Sequence, residues 1–196
     1  MTLALFPLPT FLLPGGITRL KIIEPRYLRL IHESVEDTGF VIATSLVNFE
    51  VTEEVANWGS WVKIVDFSMS EDELLTIDVQ CQSMVSIESF EIEDDGLKRG
   101  EVHPYSHWHE SQLGGHLKDQ QLRNALTIQH ALIQVFAQQE SLSGLYSEPK
   151  FDSLLWACQR WVEILPLSRV QQNRFARPDS LSSACAFIQE TLLGAE

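Results

Sequence analysis

A proline-broken apolar run that ends in a Pro-Gly-Gly turn constrains this chain more than any other feature. Between Phe6 and Leu13 the residues are almost all apolar, yet Pro7 and Pro9 interrupt them and Pro14 follows. A helix interior cannot hold prolines at that density, because each removes a backbone donor and clashes with the preceding turn. The run is therefore expected to be extended and to lie near a sheet edge. Pro14-Gly15-Gly16 then reverses the chain, proline presetting one turn position and a glycine accepting positive φ. From Ile17 to Ile23, Thr18, Leu20 and Ile22 alternate with Arg19 and Lys21, the two-residue period of a half-buried strand. Glu24-Pro25 closes it, since Pro25 fits the first turn of a helix on which Tyr27 or Leu28, Ile31 and Val35 recur at helical spacing.

Further along, Asp37-Thr38-Gly39 ends that helix, with Gly39 suited to the left-handed residue beyond a helix terminus, and Phe40 to Val47 reads as a central strand. Asn48 to Ser60 is polar and acidic and predicts a loop or an irregular edge hairpin before a strand over Trp61 to Phe67. After a turn at Ser68 to Asp72, Leu75, Ile77, Val79 and Cys81 alternate with Thr76, Asp78 and Gln80, and a further strand is expected over Met84 to Ile92. Asp94-Asp95-Gly96 is a hairpin signal that returns Leu97 to Tyr105 beside its predecessor. Short strands at this spacing with one early helix predict a curled antiparallel sheet or a small open barrel.

From Gln112 the period changes to that of helices. Leu122, Leu126, Ile133 and Phe136, with Ala125, Ile128, Leu132 and Val135 beside them, make a wide apolar face, expected to be buried from more than one side. Asp152 or Ser153 can cap a helix bearing Leu155, Cys158, Trp161, Val162 and Leu165, which Pro166 stops. Ser168 to Phe175 fits a short helix, and Pro178-Asp179-Ser180 opens a last one with Leu181, Cys185, Ile188 and Leu192. The expected class is α+β: a β-rich part over 1–110 with one early helix, then a bundle of about four helices over 117–196.

Taken together, Phe6-Pro7-Leu8, Pro14-Gly15-Gly16, the short strand and Glu24-Pro25-Arg26-Tyr27 resemble the opening of the N-terminal substrate-binding domain of Lon-type ATP-dependent proteases. The resemblance continues through Gly59-Ser60, the strand Trp61 to Phe67, two more strands, and a helical tail containing Leu165-Pro166-Leu167. It implies a PUA-like antiparallel barrel for the β-rich part and a binding role. Lon proteases also carry a phosphate-cradling G-x-x-x-x-G-K-[ST] loop and a Ser and Lys pair in further domains. These 196 residues hold no such loop and too little chain for those domains, so a standalone substrate-binding module without motor or peptidase is expected.

Charge narrows the partners. Lys and Arg number 14 against 27 Asp and Glu, and a net charge of −13 repels phosphate backbones and anionic membrane surfaces, so neither nucleic acid nor membrane is expected. No apolar run reaches about 18 residues and Met1 to Leu13 lacks the features of a signal peptide, which predicts a soluble, cytoplasmic protein. Cys81, Cys158 and Cys185 are odd in number and lack C-x-x-C spacing, so buried free thiols are expected rather than a disulfide framework or a zinc ribbon.

Glu101, His103, His107, His109, Glu110 and His116 hold metal-ligand chemistry, but in a spacing that matches no common zinc pattern, so no metal and no cofactor is expected and the segment reads as a solvated linker. No serine lies in G-x-S-x-G. Asp94-Asp95 and Glu71-Asp72-Glu73 read as turn acids rather than catalytic ones, so no catalytic residue is expected. Four aromatics remain as candidates for recognition: Trp61 and Phe67 read as core because they lie within a strand, whereas Phe11 beside the Pro14 turn and Trp58 before Gly59 could be core or an exposed binding patch. Trp108 and Trp156 stay open. The function that fits is a non-catalytic module that binds exposed polypeptide or a protein partner by strand addition. The alternative is a small-molecule binder or enzyme with a pocket between the two parts.

Overall fold

Alternating apolar residues over the first half of the chain build six strands around one early helix: β1 (Thr2–Leu8), β2 (Ile17–Lys21), α1 (Pro25–Ser34), β3 (Phe40–Leu46), β4 (Glu54–Met69), β5 (Leu75–Ile92) and β6 (Lys98–Tyr105). These come from a computed structural model that describes residues 1–35, 38–46, 54–70, 72–113 and 119–194. Neighbours run β2-β5-β4-β3-β1-β6, and β6 pairs again with β5. Five strands thus close into a small barrel, with β2 added alongside the first half of β5. All pairings are antiparallel except β1 with β3, whose link passes through β2 and α1 and so can return the chain in the same direction.

The proline-rich run is extended as expected, but its strand enters the barrel and is paired on one side only in its second half. β1 meets β6 over Thr2 to Leu5 and β3 over Leu5 to Leu8. Pro7 lies past the last β6 rung, where β1 has one neighbour, and that is how a barrel strand tolerates a missing N–H. The Pro14 turn follows the expected chemistry: Gly15 takes φ +78. Its N–H donates to the Cys81 carbonyl at 2.8 Å and the Cys81 N–H to the Gly16 carbonyl at 2.9 Å, which ties the turn to β5.

Two strands are longer than the sequence suggests. β4 already begins at Glu54, so part of the expected loop is strand, while residues 48–53 lie outside the described ones. β5 is one strand of 18 residues rather than two. Its register against β4 shifts between Trp61 and Val62, and against β6 between Ile87 and Ser89, and these bulges let a single strand bend from the β2 side of the barrel to the β6 side. On α1, Pro25 occupies the first turn as expected, but the buried face is Tyr27, Leu30, Ile31 and Ser34. Leu28 and Val35 are exposed. The Tyr27 ring stacks on Phe6 at 3.9 Å and joins Leu20, Ile22, Phe40, Val62, Ile77 and Val79 in the main core.

The second half is helical: α2 (Asp119–Gln138), the single turn α3 (Glu140–Ser143), α4 (Leu154–Ile164), α5 (Arg169–Phe175) and α6 (Leu181–Leu193). Contacts divide the chain into two compact units, Met1–Ser106 and His107–Glu196. His107 and Trp108 therefore belong with the helices, because the imidazole Nε2 donates to the Phe175 carbonyl at 3.0 Å and the indole N–H to the Ser180 hydroxyl at 3.0 Å. α2 buries Ala125, Ile128, Leu132 and Phe136 at spacings of three and four, while Leu126 and Ile133 are exposed, so it is covered on one face and not on several. Ser153 caps α4 by accepting from the Trp156 N–H, and Ser168 forms a capping box with Gln171 on α5.

Candidate functional site

Sheet closure leaves the far end of β4 paired on one side only among the described residues. β3 pairs with β4 only as far as the Phe40 and Val62 rung, whereas β5 follows β4 all the way to Met69. From Ile64 to Met69 β4 therefore has a neighbour on one side only among the described residues. Unpaired N–H and C=O groups along such an edge are a template for another strand.

Apolar side chains flank that edge. The register sets Phe67 opposite Ile77 and Met69 opposite Leu75, and residues directly opposite point to the same side of a sheet. Ile77 is core and Leu75 packs against it, so Phe67 and Met69 prolong the core-facing row beyond the point where the core ends. Phe67 is 49% exposed and Met69 64%, and Val65, at a bulge between Ile64 and Asp66, is 52% exposed. On the opposite side of the sheet the Asp78 carboxylate accepts two hydrogen bonds from the Arg19 guanidinium, both at 2.7 Å, which locks β2 to β5 and holds the Arg19 pKa above its ordinary value.

This corrects the aromatic assignments. Phe67 was expected in the core and is exposed, because β4 outruns the residues that could cover it. Phe11 and Trp58, the candidates for an exposed patch, are buried at 6% and 7% exposure, their rings meeting edge to face at 5.5 Å. The cause is the loop after β1: the Ser60 hydroxyl donates to the Leu12 carbonyl and the Gly15 and Gly16 bonds to Cys81 pin its far end, which lays Phe11 over Trp58. Trp61 is half-buried and donates its indole N–H to the Thr38 carbonyl at 2.9 Å. Trp108 and Trp156 are interior residues of the helical unit.

The histidines separate. His103 and Glu101 on β6 meet Glu88 of the neighbouring β5, three exposed side chains whose ligand atoms come within 4.8 Å of one another. Its Nε2 stands 3.4 Å from a Glu88 oxygen, a surface ion-pair arrangement when the ring is protonated. His107 is buried and stacked on Trp108 at 4.7 Å; burial pushes its pKa down to about 4. His109 is exposed and His116 lies outside the described residues. Asp95 serves the hairpin, accepting from the Leu97 N–H at 3.1 Å and pairing with Arg29, and Asp72 pairs with Lys21; Glu71 lies outside the described residues.

The β4 edge carried one sequence signal, the alternation of Val65, Phe67 and Met69, which a buried strand would show equally. Among the described residues no helix is long and apolar enough to cross a membrane.

A search of curated proteins returns no match. Among solved structures, the chain resembles a Lon N-terminal domain protein from Xanthomonas campestris at TM-score 0.65 and 24% identity, with 99% of this chain and 98% of that one covered. The N-terminal domain of a Mycobacterium avium complex Lon protease matches at TM-score 0.60 and 11% identity, covering 96% of both chains. At those identities the likeness speaks for the fold. The model of the ATP-dependent protease La (LON) substrate-binding domain matches residues 2–186, and the chain belongs to that family.

Proposed function

We propose that this protein is a non-catalytic module that binds exposed polypeptide by strand addition along Ile64 to Met69 of β4. The observation that carries the reading is the unpaired side of β4 beside Val65, Phe67 and Met69. Main-chain bonds from such an edge supply affinity for any extended segment, and an apolar row on one face selects segments whose alternate residues are apolar. Membership of a substrate-binding family supports the same role. The net charge of −13 favours basic or neutral segments over acidic ones.

The test measures binding of a fluorescent, reduced and carboxymethylated model polypeptide to the full chain by anisotropy. Phe67→Lys with Met69→Lys removes the apolar row from an exposed site, so the fold is expected to persist. Affinity should fall by at least about tenfold, or roughly 1.4 kcal/mol. Unchanged affinity in a variant that melts like the parent rejects the β4 site, and an absence of binding by the parent at any attainable concentration rejects the polypeptide reading itself.

A further inference from the structure

Helices α4 and α6 bring together two cysteines that lie 27 positions apart. The Sγ atoms of Cys158 and Cys185 are 3.2 Å apart, inside the helical unit. The polypeptide-binding reading does not use them. Cys158 is fully buried, whereas Cys185 is partly open and lines a cavity of about 200 Å³ with Asn124, Ala125, Ile128, Leu154 and Gln189. A water-sized molecule needs only about 30 Å³, so a small oxidant fits against the Cys185 sulfur.

We propose that Cys185 and Cys158 form a peroxide-reactive dithiol, Cys185 as the attacking sulfur and Cys158 as the resolving one. The roles follow from position: the sulfur that meets solvent is attacked first, and the one behind it can reach only its partner. Electrostatics agree with that order. The hydrogen bond from Cys158 lowers the Cys185 pKa, and the same bond together with burial pushes the Cys158 thiol up.

The chemistry balances with hydrogen peroxide as the oxidant. The Cys185 thiolate attacks one peroxide oxygen, the O–O bond breaks, and the departing hydroxide takes a proton to leave as water, which makes Cys185 a sulfenic acid. The Cys158 sulfur then attacks the Cys185 sulfur, the S–O bond breaks, and the second hydroxide leaves as water with the Cys158 proton. Two thiols lose two electrons and one peroxide becomes two waters. The sulfurs must close from 3.2 Å to about 2.05 Å, an approach of about 1.1 Å that side-chain rotation and a small helix shift can supply. The product ties α4 to α6 and closes the mouth of Cys185 to further oxidation.

The experiment treats the full chain with stoichiometric hydrogen peroxide and reads intact mass, thiol count and a non-reducing peptide map. The expected result is loss of two hydrogens, a Cys158 to Cys185 linkage, retention of the Cys81 thiol, and a rise in melting temperature that dithiothreitol reverses. In Cys158→Ser, dimedone should trap a sulfenic acid on Cys185. In Cys185→Ser, no adduct should form and both remaining thiols should persist. A linkage between two chains, an adduct on Cys81, or a Cys185→Ser variant that reacts like the parent overturns the proposal, as does a parent chain that keeps all its thiols.

Discussion

Replacing Gly39 by alanine tests the junction where β4 loses its β3 neighbour. Gly39 sits at φ +67, and a Cβ built there would stand 2.2 Å from the Val62 carbonyl oxygen and 3.1 Å from the Trp61 indole nitrogen. Gly96 is the control: φ is +82, but the nearest atoms to its Cβ belong to the flexible Arg26 side chain, the closest at 3.0 Å. Left-handed backbone costs an alanine about 1–2 kcal/mol. Loss of glycine's freedom in the unfolded chain returns about 0.4–1 kcal/mol, so Gly96→Ala should lose about 1 kcal/mol. Gly39→Ala carries the same backbone cost, and its clash is with main chain that cannot rotate away, so about 1–3 kcal/mol of overpacking is added. Its total of about 2–4 kcal/mol is a large share of a typical domain's stability. Urea titration gives each loss, and hydrogen exchange on peptides covering β3 and β4 should show faster exchange in Gly39→Ala than in Gly96→Ala. If the two variants lose equal stability, the close approach of Gly39 to Val62 is absent and the β3–β4 junction has been misplaced.

Two further outcomes concern the helical unit. Arg160 is buried with its guanidinium donating to both Glu163 oxygens at 2.7 and 2.8 Å, so Glu163→Ala leaves a charge in the interior and should cost about 3 kcal/mol in urea titration, far more than an exposed pair such as Arg177 with Asp179; a loss under about 1 kcal/mol refutes the buried pairing. His107, lowered to about 4 from the ordinary 6.5, takes up its proton in the unfolded chain first. Stability attributable to it should therefore fall as pH drops from 6.5 towards 4, at up to about 1.4 kcal/mol per pH unit, and His107→Gln should show a shallower decline; identical pH profiles would show that His107 titrates normally.

The local grammar of this fold was legible in the sequence, and its long-range pairing much less so. Pro25 at a helix start, left-handed Gly15 and Gly96 in their turns, and the cap at Ser153 follow from residue chemistry acting over a few positions, whereas Gly39 is left-handed but stands just before β3 and does not close α1, which ends at Ser34 with Val35 as its C-cap. Which strands would be neighbours depends on residues far apart, and there the reading failed in specific ways. The prolines of β1 suggested an edge, and Pro7 does lie where β1 has one neighbour, but they gave no hint that β6 would pair with Thr2 to Leu5 and close the ring. Phe11 and Trp58 could be core or an exposed patch because their near neighbours are turn residues, and Ser60, Gly15 and Gly16, which bond across the sheet, decide for burial. Cys158 and Cys185 looked like separate core thiols because the packing of α4 against α6 has no sequence signature.

Two of the open strand edges among the described residues differ in the side chains they expose. β2 pairs only with β5, and its exposed positions are Arg19 and Lys21, charges that discourage a second chain from adding there. β4 from Ile64 onward is likewise paired on one side only among the described residues, yet its most exposed apolar side chains are Val65, Phe67 and Met69. A protein that only needed to stay monomeric and soluble would gain from charge at both edges, since an apolar edge invites unwanted pairing. The bulge at Val65 shortens the regular stretch available and limits such pairing without abolishing it. Charge from Arg19 and Lys21 thus guards the β2 edge, whereas the β4 edge exposes Val65, Phe67 and Met69 around one acid, Asp66, so an added strand meets less charge along β4 than along β2.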